Sequence, residues 1–195
     1  DDRDRMTLTI DAIGDSTRYQ YDAAGNMTSV LLPNGREITY TYDALDLLVQ
    51  TADQYGVMQT TLYDAMGNVV ATVNANGDTT SMTYDALGRL TQTTDPLGHA
   101  EQYSYDLAGN LLTHTDANGN TTTYTYDAVG NLLTETDAMN NVTTYTYNAD
   151  GNLTSVTDAN GNTTAYTYDA AGRLTVITFA NGKTQQFWYD AVGNT

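Results

Sequence analysis

The chain has 195 residues, no cysteine, and a formal net charge of −17 from 24 acidic against 7 basic side chains. Such a balance repels phosphate and disfavours nucleic acid or an anionic membrane surface as a partner, and without thiols neither disulfides nor thiolate metal sites can contribute. No apolar run is long enough to span a bilayer, and no charged-then-apolar leader opens the chain.

Taken in order, the chain repeats one phrase of 21 residues without insertion or deletion, and an internal repeat precedes any residue-level reading. Residues 1–20, DDRDRMTLTIDAIGDSTRYQ, are a degenerate copy: Gly14 and Tyr19 hold their expected columns, and the Leu-Thr-Ile stretch predicts a strand. Eight full repeats fill 21–188, and 189–195 start a further one. Tyrosine stands at the head of each, as Tyr21, Tyr42, Tyr63, Tyr84, Tyr105, Tyr126, Tyr147, Tyr168 and Tyr189. Asp follows it everywhere except at Asn148, and Ala follows that pair everywhere except at Leu107. Residues 42–83 are the most irregular; from Tyr84 the pattern tightens, most cleanly in YDLAGNLLTHTDANGNTTTYT at 105–125. Residues 1–195 therefore read as a single array, and its beginning and ending inside repeats suggest a fragment of a longer one. Each unit of such an array packs chiefly on its neighbours.

The glycines give the phrase its physical meaning. All 16 fall in two columns, four and fourteen residues after the Tyr, and Asp46 and Asn140 are the substitutes within the full repeats. Asp and Asn are the non-glycine residues that best enter the region of positive φ, so each column is a backbone requirement. Both phrases, DAxGN and DANGN, read as tight turns in which Asp bonds the following backbone. Asp106, Gly109, Asp116, Gly119 and Gly161 stand for these columns. Recurrent Asn-Gly pairs predict hairpins with primed turns, which match strand twist. Pro33 and Pro96 sit in the second turn, where no ladder N–H is needed.

Two turns per repeat leave two segments of about six residues, the usual strand length. In TTTYTY, 121–126, Thr121, Thr123 and Thr125 point one way and Thr122, Tyr124 and Tyr126 the other. The first segment is more mixed: only the position of Leu111 is apolar in every full repeat. No apolar stripe of helical period survives, and glycine interrupts too often for helix. The expected fold is all-β, with tandem 21-residue β-hairpins forming a continuous antiparallel strip. A parallel β-solenoid is the alternative, but its coils would point aliphatic residues inward from every side, and here one strand per repeat has a dependable aliphatic. The Tyr124 and Tyr126 columns share a face, where leucine, valine and threonine of the intervening strand would interleave with the rings.

This phrase resembles the YD repeat, also called the Rhs repeat, whose form is roughly YDxxGRL followed by a second glycine turn. It stands as YDALGRL at 84–90, YDAAGRL at 168–174, and mostly YDAxGN elsewhere. The resemblance covers essentially the whole chain. It implies a β-strip that spirals into a hollow shell, as in bacterial polymorphic-toxin proteins, the C component of insecticidal toxin complexes, and teneurins. In the bacterial relatives the shell encloses a cytotoxic C-terminal domain until delivery. The implied function is a structural segment of an encapsulating shell in a large secreted or surface-delivered protein. Its partners would be flanking repeats or other copies through strand edges and an enclosed toxin domain, without nucleic acid or membrane insertion. An extracellular adhesion or filament module, with a tyrosine surface that stacks carbohydrate, is the alternative.

Catalytic chemistry is sparse in this reading, and no catalytic, cofactor or metal residue is expected. His99 and His114 lie in different columns with no fixed carboxylate partner in sequence. The piece Asp95-Pro96-Leu97-Gly98 resembles the DPxG elements of toxin-bearing relatives, but it occurs once, in an ordinary turn position, without its partner motif. No GxSxG elbow, phosphate loop or zinc spacing is present. Asp116, Asn118 and Asn120 alternate oxygen side chains as calcium loops do, yet the later glycine and the twelfth-position Glu of an EF-hand are missing. Asn-x-Thr sequons at Asn120, Asn141 and Asn162 follow from the turn consensus. Phe179, Phe187 and Trp188 add bulk to the last repeat, as a contact surface or a local cap.

Overall fold

The computed structural model describes residues 1–190 and Gly193. The further repeat expected at 189–195 is thus seen in Tyr189, Asp190 and Gly193, and its other four residues lie outside the described ones. Every regular element among the described residues is a strand, and the chain divides into two compact units, Asp1–Ala100 and Glu101–Thr195.

The first unit contains β1 (Leu8–Ile10), β2 (Ser16–Tyr21), β3 (Met27–Leu31), β4 (Glu37–Tyr42), β5 (Leu48–Asp53), β6 (Gly56–Tyr63), β7 (Val69–Asn74), β8 (Thr79–Tyr84) and β9 (Leu90–Thr94). Each pairs antiparallel with the next, from Leu8↔Arg18 to Tyr84↔Leu90. The second unit holds β10 (Ala100–Tyr105), β11 (Leu111–Thr115), β12 (Thr121–Tyr126), β13 (Leu132–Thr136), β14 (Val142–Tyr147), β15 (Leu153–Thr157), β16 (Thr163–Tyr168), β17 (Leu174–Thr178) and β18 (Thr184–Gln186). These too form an uninterrupted antiparallel meander. Antiparallel registers rule out the parallel solenoid, because parallel neighbours need long crossovers and every connection here is a short turn.

Alternation places the side chains. In β12, Thr123 and Thr125 are exposed while Tyr124 and Tyr126 are half-buried, and β4 repeats the pattern with Thr39, Tyr40, Thr41 and Tyr42. Only Ser29 and Val30, on β3, pass into the buried class among the described residues. A single sheet with a ring-bearing face buries its apolar area thinly, by cross-strand pairs worth about 0.2–1 kcal/mol each. Tyr126 lies opposite Leu132, and Tyr124 opposite Glu135.

A register shift at Tyr126, and at the tyrosine that opens each other full repeat, explains the mixed pattern of the first segment. Tyr126 pairs with Leu132 but Thr125 pairs with Thr134, which leaves Leu133 opposite neither. Thr91 and Thr175 occupy the same extra position in their repeats. A bulge inserts one residue and resets the facing of those that follow, so simple alternation fails across it. At two of these threonines the hydroxyl donates to the opposite strand: Thr91 Oγ1 to the Thr83 carbonyl and Thr175 Oγ1 to the Thr167 carbonyl, both at 3.0 Å.

Candidate functional site: the turns and the tyrosine clasp

The turn that opens at Asp127 shows the local chemistry in full. Asp127 N–H donates to the Asn131 carbonyl at 2.9 Å, and Gly130 N–H donates to the Asp127 carbonyl at 3.2 Å. The Asp127 carboxylate accepts from the Val129 and Asn131 N–H groups at 3.0 and 2.9 Å, and its second oxygen takes Asn131 Nδ2 at 2.8 Å. One side chain thus satisfies two backbone donors and pins the residue that restarts the strand. Gly130 has φ 92°, and neither Ala128 nor Val129 has positive φ.

This geometry corrects the expectation of primed turns. A type I′ turn needs positive φ at both central residues, but Asn76, Asn118 and Asn160 have none; only the glycine after each does. The loops at these asparagines carry three residues: a turn of ordinary sense closed by one left-handed residue, which restores the strand twist. Among the described residues, the non-glycine residues of positive φ are Asp4, Asp46 and Asn140, at 57°, 61° and 65°. Asp4 went unread in the sequence, although it stands 21 residues before Gly25. It makes the opening DDRDRM a complete first turn, with Asp4 N–H on the Asp1 carbonyl at 3.0 Å and Arg5 paired to the Asp1 carboxylate at 2.6 Å.

In many turns the side chain after the glycine pairs with the turn carboxylate, and its type varies within that role. Asn120 and Asn162 reach Asp116 and Asp158 at 2.8 and 2.9 Å; Arg89 and Arg173 pair with Asp85 and Asp169 at 2.7 Å; His99 Nδ1 reaches Asp95 at 2.8 Å. Asn74 and Asp78 exchange the two parts. Where the leading Asp is lost, at Leu32 and Phe179, the Asn two residues on accepts the missing bond: Asn34 from Arg36 N–H and Asn181 from Lys183 N–H, each at 3.0 Å.

The tyrosine of the phrase joins one repeat to the previous one. Tyr42 lies opposite Leu48 of β5, while its hydroxyl donates to the Met27 carbonyl of β3 at 2.9 Å, so one side chain ties three strands. Tyr21, Tyr63, Tyr84, Tyr168 and Tyr189 make the same bond to Met6, Leu48, Val69, Leu153 and Leu174 at 2.8–2.9 Å. Each such bond contributes about 1 kcal/mol net. In two repeats a guanidinium reinforces it: Arg5 lies over the Tyr21 ring and Arg173 over the Tyr189 ring, 4.6 and 4.7 Å from the centroids. Arginine returns to this column every fourth repeat, at 5, 89 and 173. The consensus Arg is therefore both ion partner to its own turn and a cap on the next tyrosine, a contact worth about 0.5–1 kcal/mol at an exposed site.

The turns carry a pH dependence. Side-chain and backbone donation from Asn131, Asn141 and Asn162 hold Asp127, Asp137 and Asp158 below the usual carboxylate range. Carboxylates lowered in the folded chain stabilise it above their unfolded pKa of about 3.9, and that stabilisation is lost as pH falls through the lower folded values. Asn148 shows that the turn tolerates an uncharged acceptor: it takes the Asp150 and Asn152 N–H groups at 3.1 and 2.9 Å. Combining Asp127→Asn, Asp137→Asn and Asp158→Asn is expected to keep the fold at neutral pH and to flatten the loss of thermal stability between pH 5 and pH 2. Melts in that range check it, and an acid limb as steep as the parent's would show that these carboxylates do not carry the effect.

His99 has a bonded carboxylate partner that its column did not suggest, whereas the buried His114 Nε2 has a carboxylate nearby but no hydrogen-bond partner. His99 takes the asparagine place of its turn. His114 stacks on Tyr103, with ring centroids 4.9 Å apart and planes at 6°, and its Nε2 lies 3.7 Å from Glu101 Oε2, the oxygen that accepts the Tyr103 hydroxyl at 2.7 Å. The second grouping arises from the register Tyr103↔His114, which sequence spacing alone does not show. The hydrogen bond to Glu101, with burial, raises the Tyr103 hydroxyl above its ordinary pKa. Among the described residues no three His, Asp or Glu side chains gather as a metal site.

A family model described as RHS Repeat matches residues 1–37, 28–57, 63–100, 105–138, 126–163 and 147–184. No curated protein sequence matches. Among solved structures, the crystal structure of TcdB2-TccC3-Cdc42 aligns with a TM-score of 0.65 at 20% identity, over 96% of this chain and 11% of that one. The crystal structure of TcdB2-TccC3-TEV aligns with a TM-score of 0.53 at 18% identity, over 95% of this chain and 13% of that one. At these identities the likeness shows a shared fold, in which this chain spans a small part of each neighbour's length. With the YD phrase recurring in fixed register and the family model matched over most of its length, this chain belongs to the RHS repeat family.

Proposed function

We propose that these repeats are a structural segment of an encapsulating β-shell in a large secreted or surface-delivered protein, one that encloses or presents a C-terminal toxin-type domain. The observation that carries this reading is the use of the residues that define the phrase. The Tyr hydroxyl and the Asp carboxylate are engaged in joining strands and turns, as at Tyr168 with Leu153 and Asp169 with Arg173. Gly109, Gly119 and Gly161 supply the backbone sense of the turns, with φ between 82° and 98°. The repeated residues thus build a wall, with Tyr124 and its equivalents on one face and threonine on the other; none of them is assigned a catalytic or cofactor role. In this reading the whole run 1–195 is one array that continues into flanking repeats through its end strands, outside the cell or at its surface.

The reading is supported by the fold shared with much longer chains and by the family itself. Its test uses the full-length protein that carries this array. A domain following the repeats is expected to resist a protease until the repeats are denatured. Digestion of that domain at the rate of its free form, with the repeats still folded, would overturn encapsulation.

A further inference from the structure

The residue opposite the second tyrosine column is Thr72 and Thr93 late in the first unit, then His114, Glu135, Val156 and Ile177 in the second. Glu135 thus puts a carboxylate where most repeats put threonine or an aliphatic side chain. The aspartates of the second unit lie outside its strands, and most accept their own turn's N–H groups. Glu135 instead stands half-buried within β13, with Tyr124 of β12 opposite and the Tyr145 hydroxyl of β14 donating to its Oε2 at 3.3 Å. Burial and the charge of Glu135 raise the Tyr124 and Tyr145 hydroxyls above their ordinary pKa, so both side chains feel the carboxylate. Glu101, the other acid on these strands, has His114 Nε2 at 3.7 Å. Glu135 has no such neighbour. The basic residues of the second unit are Arg173 and Lys183. Arg173 is held on Asp169 at 2.7 Å, and Lys183 stands in the turn after β17, about 19 Å from β13 by strand spacing. A carboxylate partly withdrawn from water without a counter-charge is costly.

Elsewhere the array completes such a group by itself. Arg5 pairs with the Asp1 carboxylate at 2.6 Å and lies 4.6 Å from the Tyr21 ring centroid. Arg173 pairs with Asp169 at 2.7 Å and lies 4.7 Å from the Tyr189 centroid. Both unite a carboxylate, a tyrosine ring and a guanidinium. At Glu135 the first two are in place. We infer that Glu135, between Tyr124 and Tyr145, is a binding site for the guanidinium of an arginine carried by a partner polypeptide. The planar fork of a guanidinium matches a carboxylate, and the single hydroxyl donor from Tyr145 leaves lone pairs to receive it. A cation over a tyrosine face is also attracted by the ring quadrupole. The site lies on the face of a single sheet, whereas small-molecule sites are concave and bury most of their ligand. A larger partner is therefore what presents the arginine.

Titration of the chain with a capped Ala-Ala-Arg-Ala-Ala peptide, followed by NMR, tests this. The expected result is a set of chemical-shift changes centred on Tyr124, Glu135 and Tyr145, saturating in the millimolar range and weakening as salt is added. The same peptide with citrulline, an uncharged isostere, in place of arginine is expected to give none. Ethylguanidinium, which lacks the flanking peptide, is expected to bind severalfold more weakly. Glu135→Val installs the residue that the next repeat carries at Val156, so the circular dichroism spectrum is expected to stay as it is while binding is lost. Tyr124→Thr follows the precedent of Thr61 in the same column and is expected to weaken binding severalfold. Glu101→Gln removes a charge from the same face and is expected to leave binding intact. Absence of shifts at the three residues overturns the site. So do shifts that the citrulline peptide reproduces, that survive Glu135→Val, or that spread evenly over the turn aspartates. Ethylguanidinium binding as tightly as the peptide overturns the assignment to a polypeptide.

Discussion

Removing residues 126–146 is expected to leave a cooperatively folded β-protein, whereas removing only 126–135 abolishes cooperative unfolding of the second unit. The first deletion joins Thr125 to Tyr147, the residue that follows a threonine of this column in the intact chain as well. Every later strand keeps its direction and face, and the tie from Tyr168 to the Leu153 carbonyl is retained. The second deletion joins Thr125 directly to Thr136. Both belong to the threonine face, since Thr125 pairs with Thr134 and Thr123 with Thr136, yet neighbouring residues in a strand point to opposite faces. It also removes one strand rather than two, so each strand that follows would have to run the other way and send its turns to the opposite edge. A one-residue slip already inverts a strand's faces; this change inverts all that follow. Chemical unfolding followed by circular dichroism separates the outcomes. The first variant should keep a sharp transition with a smaller denaturant dependence, in proportion to the surface lost. Equal damage from both deletions would mean that the 21-residue hairpin pair is not the unit of assembly.

Such a deletion can be designed from the sequence because the repeat fixes register before any coordinate is known. Gly109 and Asn140 illustrate how far that reading goes. A column that admits glycine, aspartate or asparagine specifies a left-handed backbone, and the φ values of 98° and 65° are of that kind. Tyr124 and Thr125 likewise reveal their faces by alternation. Four features stayed hidden, each for a physical reason. Leu133 reads as one more strand residue, because a bulge is a mismatch between two strands and leaves no mark within one of them. Asn118-Gly119 has the composition of a two-residue primed turn, but Asp116 holds a three-residue loop by accepting from the Asn118 and Asn120 N–H groups, both at 2.8 Å. Asn118 is thereby kept out of positive φ. The meeting of Glu101, Tyr103 and His114 depends on which strand lies beside β10, so it follows from topology rather than spacing. The Tyr–carbonyl tie is of the same kind: its 15-residue separation becomes meaningful only once Tyr42 and Met27 are known to lie on adjacent strands.

The strongest single-residue effect is expected at the turn glycines, and Gly119 isolates it. Its φ is 84°, and a Cβ built there has nothing within 4 Å, so a substitution meets backbone strain and no steric contact. Asn140 occupies the equivalent position one repeat later at φ 65°, with its N–H on the Asp137 carbonyl at 3.0 Å, as Gly119 N–H is on Asp116 at 2.9 Å. The turn therefore accepts asparagine without changing its hydrogen bonds. Valine carries two γ carbons on Cβ and is a poor occupant of left-handed space. Gly119→Val should cost about 1–3 kcal/mol, and Gly119→Asn less than about 1 kcal/mol. For a chain of this size each kcal/mol lowers the melting temperature by about 2–4 °C, so thermal melts can resolve the two variants. Valine below asparagine is the expected order. The reverse order, with both variants keeping parental circular dichroism, would show that these columns select glycine for something other than the sign of φ.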